Sequence, residues 1–156
     1  MKYKLLQIFC VICAAVFIAF SVSSNTGSKK TADEIYKEMS SKAQLTESLA
    51  QRDNSFFKKA FGVSADEFES FVYYSSDDVM NVNELLIIKF DNKESAENLE
   101  ENIKKYVSDN YEIFAGYAPE QGELLKNYVL ETNTNTLFFF VGGESETAQD
   151  AFNSAL

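Results

Sequence analysis

The chain has 156 residues, 46% of them apolar, with 24 acidic against 14 basic side chains and a net charge of −10. Such a surface repels nucleic acid, whose binding depends on neutralising phosphates with Lys and Arg. It contains no histidine and no tryptophan, and its two cysteines, Cys10 and Cys13, lie within the first twenty residues; histidine-dependent triads and His/Cys metal sites are therefore excluded from the remainder.

Lys2 and Lys4 precede an apolar run from Leu5 to Phe20, broken only by Gln7. This charge-then-apolar order is that of an export signal or an N-terminal membrane anchor. As a helix the run spans about 24 Å, short of the roughly 30 Å hydrocarbon core, which favours a signal peptide over an anchor. Ser21-Val22-Ser23 offers a small-x-small cleavage site, although serine fits it less well than alanine. Cys10 and Cys13 read as apolar fillers, since neither Ile8-Phe9 nor Val11-Ile12 supplies the small pair of a lipoprotein signal. The expected layout is a leader or anchor over 1–23, a flexible tether over 24–30 and one domain over 31–156. Without Lys2 and Lys4, the rest holds 12 basic residues against 24 acidic ones. That charge keeps an exported domain soluble.

Thr31-Ala32-Asp33-Glu34 matches a capping box and predicts a helix carrying Ile35 and Met39 to about Ala43. Leu45 to Ala50 is ambiguous. Asn54 is placed to cap a short helix with Phe56, Phe57, Ala60 and Phe61, ended by Gly62 in a left-handed turn. Ser64 and Glu67 form a second capping box over a single turn. Phe71 to Tyr74 and Glu84 to Phe90 are rich in β-formers and read as strands joined by the polar segment Ser75 to Asn83. Asp91 and Glu94 repeat the capping pattern before a helical stripe of Ala96, Leu99, Ile103, Tyr106 and Val107. After an irregular stretch, Pro119 is placed to start a short helix with Leu124 and Leu125. Tyr128 to Leu130 and Leu137 to Val141 are two more strands, Gly142-Gly143 breaks the sheet, and a last helix carries Ala148, Ala151, Phe152 and Ala155.

The fold expected is α+β: a mostly antiparallel sheet of about four strands from two ββα units, preceded by N-terminal helices. A weak echo at an offset of 52 residues, Asn83-x-Leu85 against Asn135-x-Leu137, suggests duplication as much as chance. Leu85 to Ile88 and Leu137 to Val141 are continuous apolar runs, so both faces of those strands must be covered. The N-terminal helices, with Ile35, Met39, Phe56, Phe57 and Phe61, are the favoured cover; a second subunit is the other candidate.

Asp77, Asp78, Asn81 and Asn83 cluster in one loop. They lack the glycine and terminal glutamate of a calcium loop, so a solvated acidic loop is expected, with no metal and no cofactor. Glu120 and Glu123 form the most tempting carboxylate pair for glycoside hydrolysis, yet first-turn glutamates also favour the helix dipole.

The least ordinary stretch is Phe114-Ala115-Gly116-Tyr117-Ala118-Pro119-Glu120-Gln121. Together with Thr31-Ala32-Asp33-Glu34-Ile35, Phe61-Gly62-Val63 and Leu124-Leu125-Lys126-Asn127, it resembles domain-of-unknown-function family 4358, bacterial envelope proteins mostly from Firmicutes. The resemblance implies an extracytoplasmic location and a fold, and no reaction or catalytic residues. This chain departs from the lipoprotein-bearing members in lacking a lipobox. Gly116, Tyr117, Pro119, Glu120 and Gln121 read as a ligand or partner loop, or as a tight turn in which Gly116 takes a positive φ. The expectation is a non-enzymatic binding module of the cell envelope, secreted or membrane-tethered. It would be a monomer meeting an unknown envelope protein or small ligand, touching membrane only through residues 5–22 if the leader is retained. The alternatives are a carboxylate-dependent hydrolase of envelope polymers and an inhibitor or assembly factor for another exported protein.

Overall fold

A computed structural model describes residues 27–156; the expected leader over 1–23 and its expected cleavage site lie outside the described residues. In chain order come α1 (Ala32–Lys42), β1 (Ala50–Gln51), α2 (Asn54–Phe61), a 3-10 turn (Ala65–Glu67), β2 (Ser70–Ser75) and β3 (Glu84–Lys89). There follow α3 (Lys93–Tyr117), α4 (Pro119–Lys126), β4 (Val129–Thr132), β5 (Thr136–Val141) and α5 (Ser145–Asn153). The fold is α+β, and its sheet is antiparallel throughout, with strand order β1-β2-β3-β5-β4.

The apolar runs lie where burial on two faces demands. β3 and β5 are the central strands, and every residue of both is buried. Leu86, Ile88, Leu137, Phe139 and Val141 face a layer made by α2, α3 and α4, including Phe57, Phe61, Leu99 and Ile103. Leu85, Ile87, Phe138 and Phe140 face α1 and α5, through Ile35, Met39 and Phe152. The helices of the same chain therefore supply the cover, α1 on one face and α2 on the other. Phe56 is the exception: it is 51% exposed, with the Arg52 guanidinium 4.8 Å from its ring centroid.

Local signals set most element ends. Thr31 and Glu34 form a reciprocal capping box, as do Ser64 and Glu67. Gly62 closes α2 at φ +77°, the left-handed region that glycine adopts without steric cost. Two caps fall one residue away from their expected positions. Asp53 caps α2 by accepting from the amides of Ser55 and Phe56, while Asn54 bonds Ser64 Oγ and the Ala65 amide. Asn92, instead of Asp91, caps α3 by accepting from the Glu94 amide.

Three larger differences arise from tertiary context. The ambiguous segment before Arg52 contributes a two-residue edge strand on β2, making the sheet five-stranded. The supposedly irregular stretch continues α3 for ten residues past Val107 to Tyr117, because Phe114 extends the buried stripe two turns further. The polar run Ser108 to Asn110 conceals that continuation. Finally, β2-β3-α3 and β4-β5-α5 are both ββα units, yet α3 packs on one face and α5 on the other. Leu85 and Leu137, equivalent in the 52-residue echo, point to opposite faces, so no rotation within the sheet relates the units. The echo is not a symmetric repeat.

Of the expected tether, Ser28 and Lys30 are bonded to the domain. Lys30 Nζ donates to Glu38 Oε2 at 2.8 Å and to the Ala155 carbonyl at 2.6 Å, and Ser28 O accepts from Asn135 Nδ2 at 3.0 Å.

Candidate ligand cleft

β3 begins on a charge. Glu84 lies at the head of a strand whose next four residues are apolar, and it is 6% exposed. Its register partner on β2 is Ser75, which places Tyr73 diagonally across on the same face. The Tyr73 hydroxyl donates to Glu84 Oε2 at 2.9 Å, and the Tyr106 hydroxyl, arriving from α3, donates to Oε1. Each carboxyl oxygen thus has one phenol donor. Burial raises the Glu84 pKa to about 7, opposed by the two phenol hydrogen bonds and the nearby Arg52 charge. Burial also raises both tyrosine pKa values, reinforced by the neighbouring carboxylate.

Arg52 is the cation whose charge bears on Glu84, and its Nε and Nη2 are held by other groups. Its Nε donates to Ser75 Oγ at 2.8 Å, and its Nη2 donates to the carbonyls of Ser75 and Ser76 and contacts Asp77 at 2.8 Å. It fixes the start of the β2–β3 loop instead of neutralising Glu84 by direct contact.

Above the carboxyl opens a cleft of about 410 Å³, with Glu84, Tyr73 and Tyr106 among its lining. The loop contributes Ser75, Ser76, Asp78 and Asn81, and the far wall contributes Asn110, Phe114 and Leu125. Lys59 on α2 completes the rim and is exposed. A second groove, of about 760 Å³, runs between the end of α4 and the start of α5, but its charged lining residues Lys126, Glu144 and Glu146 are all exposed.

The residues singled out from sequence fall around the elbow between α3 and α4. Gly116 is helical with no positive φ, correcting the expected turn: α3 continues through it, so no left-handed residue is needed. Pro119 opens α4 at the first helical position. The turn between the helices is tight because Gly122 has no side chain; a Cβ there would stand 3.3 Å from Ala115 Cα. Tyr117 is 54% exposed, its ring 5.3 Å from that of Phe114. Glu120 and Glu123 are both exposed, with Glu123 3.3 Å from Lys126, so they share no cleft. Gln121 turns inward, and its Oε1 accepts the Val82 amide at 3.0 Å. That bond joins the elbow to the Ser75–Asn83 loop.

The acidic loop uses its own oxygens. Asp77 pairs with Arg52, Asp78 Oδ1 accepts from the Met80 amide, and Asn81 Oδ1 accepts from the Asn83 amide. Among the described residues, no group of three or more His, Cys, Asp or Glu side chains is disposed to hold a metal ion, and no helix is long and apolar enough to cross a membrane.

Sequence reasoning did not find the Glu84 cluster. A lone acid directly before a four-residue apolar run was the available signal, because a charge there must be buried or strand the run. The partners, 11 residues before and 22 residues after Glu84, were not legible from spacing.

No curated protein and no solved structure matches the chain. The sequence model of the family described as Domain of unknown function (DUF4358) matches residues 41–142, from the end of α1 to the end of β5, and so includes Arg52, Tyr73, Glu84 and Tyr106. The chain belongs to the DUF4358 family.

Proposed function

We propose that this protein is an exported or membrane-tethered binding module of the bacterial cell envelope, and that its ligand enters the cleft above Glu84. One observation carries the reading: a nearly buried carboxyl, oriented by two phenols, lies at the floor of a cleft large enough for a small molecule. Polar groups converging in a partly apolar cleft are the usual form of a small-ligand site. The leader, with Lys2 and Lys4 before Leu5 to Phe20, supports the location. Two of the residues expected as contacts adjoin the cleft. The Tyr117 ring lies tilted against that of Phe114 in its wall, and Gln121 holds the loop that forms its other side.

The rival is hydrolysis of an envelope polymer. Glu84 favours it, since a carboxyl titrating near 7 is suited to general acid–base work. Binding is preferred because both Glu84 oxygens already serve the phenols, and the second acid lining the cleft, Asp78, is an exposed loop residue.

Native mass spectrometry tests the reading. The full-length chain, incubated with the small-molecule fraction of bacterial envelopes, should retain an adduct that an Asn110→Phe variant, which fills the cleft from its far wall, does not. Equal adducts on both proteins, or none on either, would overturn the cleft as the binding site.

A further inference from the structure

We propose that the cleft takes a ligand presenting a protonated primary amine, seated on the Glu84 carboxylate and the two phenol oxygens. The inference rests on the binding reading above and names the chemistry of that site.

The argument is one of donors and acceptors. Tyr73 and Tyr106 each spend their single hydroxyl hydrogen on Glu84, so their remaining capacity is as acceptors. Each Glu84 oxygen receives one hydrogen bond and has room for another. Two donor-bearing side chains beside this cluster are held by other groups. The Arg52 guanidinium is bound to Ser75, Ser76 and Asp77, and Asn110 Nδ2 donates to the Tyr106 carbonyl at 2.8 Å. With both phenol hydrogens spent on the ionised carboxylate, the Glu84–Tyr73–Tyr106 cluster itself accepts and does not donate. An ammonium group, with three donors and no acceptor, is its complement.

Charge supports the same partner. Ionised Glu84 is a buried negative charge without a cation in contact, and an arriving ammonium would supply one. Asp78 adds a second negative group to the lining, while Lys59, the cation of the rim, is exposed and screened by solvent. The acidic surface as a whole attracts cations. Phe114, Leu125 and Val82 give the body of the ligand an apolar wall.

Isothermal titration calorimetry on the full-length chain in neutral detergent tests this, with benzylamine and its uncharged analogue benzyl alcohol as probes. At pH 8 benzylamine should bind at least about tenfold more tightly than benzyl alcohol, as expected for one charge-assisted contact. At pH 5.5 its affinity should fall about tenfold or more, because Glu84 is then largely protonated. The groups facing Glu84 across the cluster are Tyr73 from β2, Tyr106 from α3 and Arg52 beside β1, with Asp78 and Lys59 also lining the cleft; burial raises both tyrosine pKa values, so the phenols stay neutral in that interval. Glu84→Gln should abolish the preference for the amine, whereas Tyr106→Phe, which keeps the carboxylate, should retain it. Equal affinity for the two probes, no binding of benzylamine, or an undiminished preference in Glu84→Gln would each overturn the inference. If the envelope adduct of the preceding test persists through such a failure, the cleft still binds and only the amine is wrong; if the adduct is also absent, the binding reading falls with it.

Discussion

Gln121 Oε1 accepts the backbone N–H of Val82 at 3.0 Å, tying the start of α4 to the loop that walls the cleft. The Gly116–Gln121 elbow and the Ser75–Asn83 loop thus meet through a hydrogen bond. Truncating Gln121→Ala leaves a part-buried N–H without its partner, at a cost of about 1–3 kcal/mol. Gln121→Glu, which keeps an acceptor, should recover most of it. Chemical denaturation gives the stability difference, and amide exchange across 76–83 should accelerate in the alanine variant alone.

The two glycines of the elbow should respond in opposite senses. Gly116 is exposed and helical, and a Cβ there meets nothing within 4 Å, so Gly116→Ala should stabilise by about 0.5–1 kcal/mol through helix propensity. Gly122 faces the Ala115 backbone, so Gly122→Val must separate α3 from α4 and should destabilise by about 1–3 kcal/mol. Thermal melts of the two variants would separate a packing glycine from a permissive one. Loss of stability in Gly116→Ala would contradict the helical assignment there.

Glu84 makes stability depend on pH in the direction opposite to a paired surface acid. Its pKa rises from 4.5 to about 7 on folding, because burial disfavours the ionised form. Between those values the native state holds a proton that the unfolded chain has released. Its contribution is complete below about pH 4.5, is lost as pH rises through about 7, and is constant above, a loss on the order of 3 kcal/mol. Glu34 and Glu100, whose pKa values are lowered by hydrogen bonds from Thr31 and Lys104 respectively, contribute with the reverse sign, so wild type must be compared with Glu84→Gln. The variant should gain stability relative to wild type from pH 5 to pH 8. A difference that is flat with pH, measured by urea denaturation, would remove the raised pKa.

Phe152 of α5 stacks on Phe138 of β5, with ring centroids 4.5 Å apart and both side chains fully buried. Phe152→Ala should cost about 3–5 kcal/mol, combining lost transfer energy with a cavity that two rigid rings cannot close. Phe56→Ala, at an exposed position where the Arg52 contact is lost, should cost less than about 1 kcal/mol. Equal costs would mean that the α1–α5 layer does not cover the sheet as described.

Sequence alone determined the features that neighbours within a few residues decide. The capping boxes at Thr31 and Ser64, the left-handed stop at Gly62 and the helix start at Pro119 are satisfied by backbone groups one to four positions away. The unbroken runs Leu85–Ile88 and Leu137–Val141 also imply a sheet covered on both faces, since alternation is absent. Tertiary structure decided which helix covers which face, whether Ala50–Gln51 joins the sheet, and where the polar groups converge. Tyr73 reaches Glu84 through the β2–β3 register, and Tyr106 reaches it because α3 crosses back over β3. Such meetings depend on chain segments far apart in sequence being packed together, which no local periodicity records.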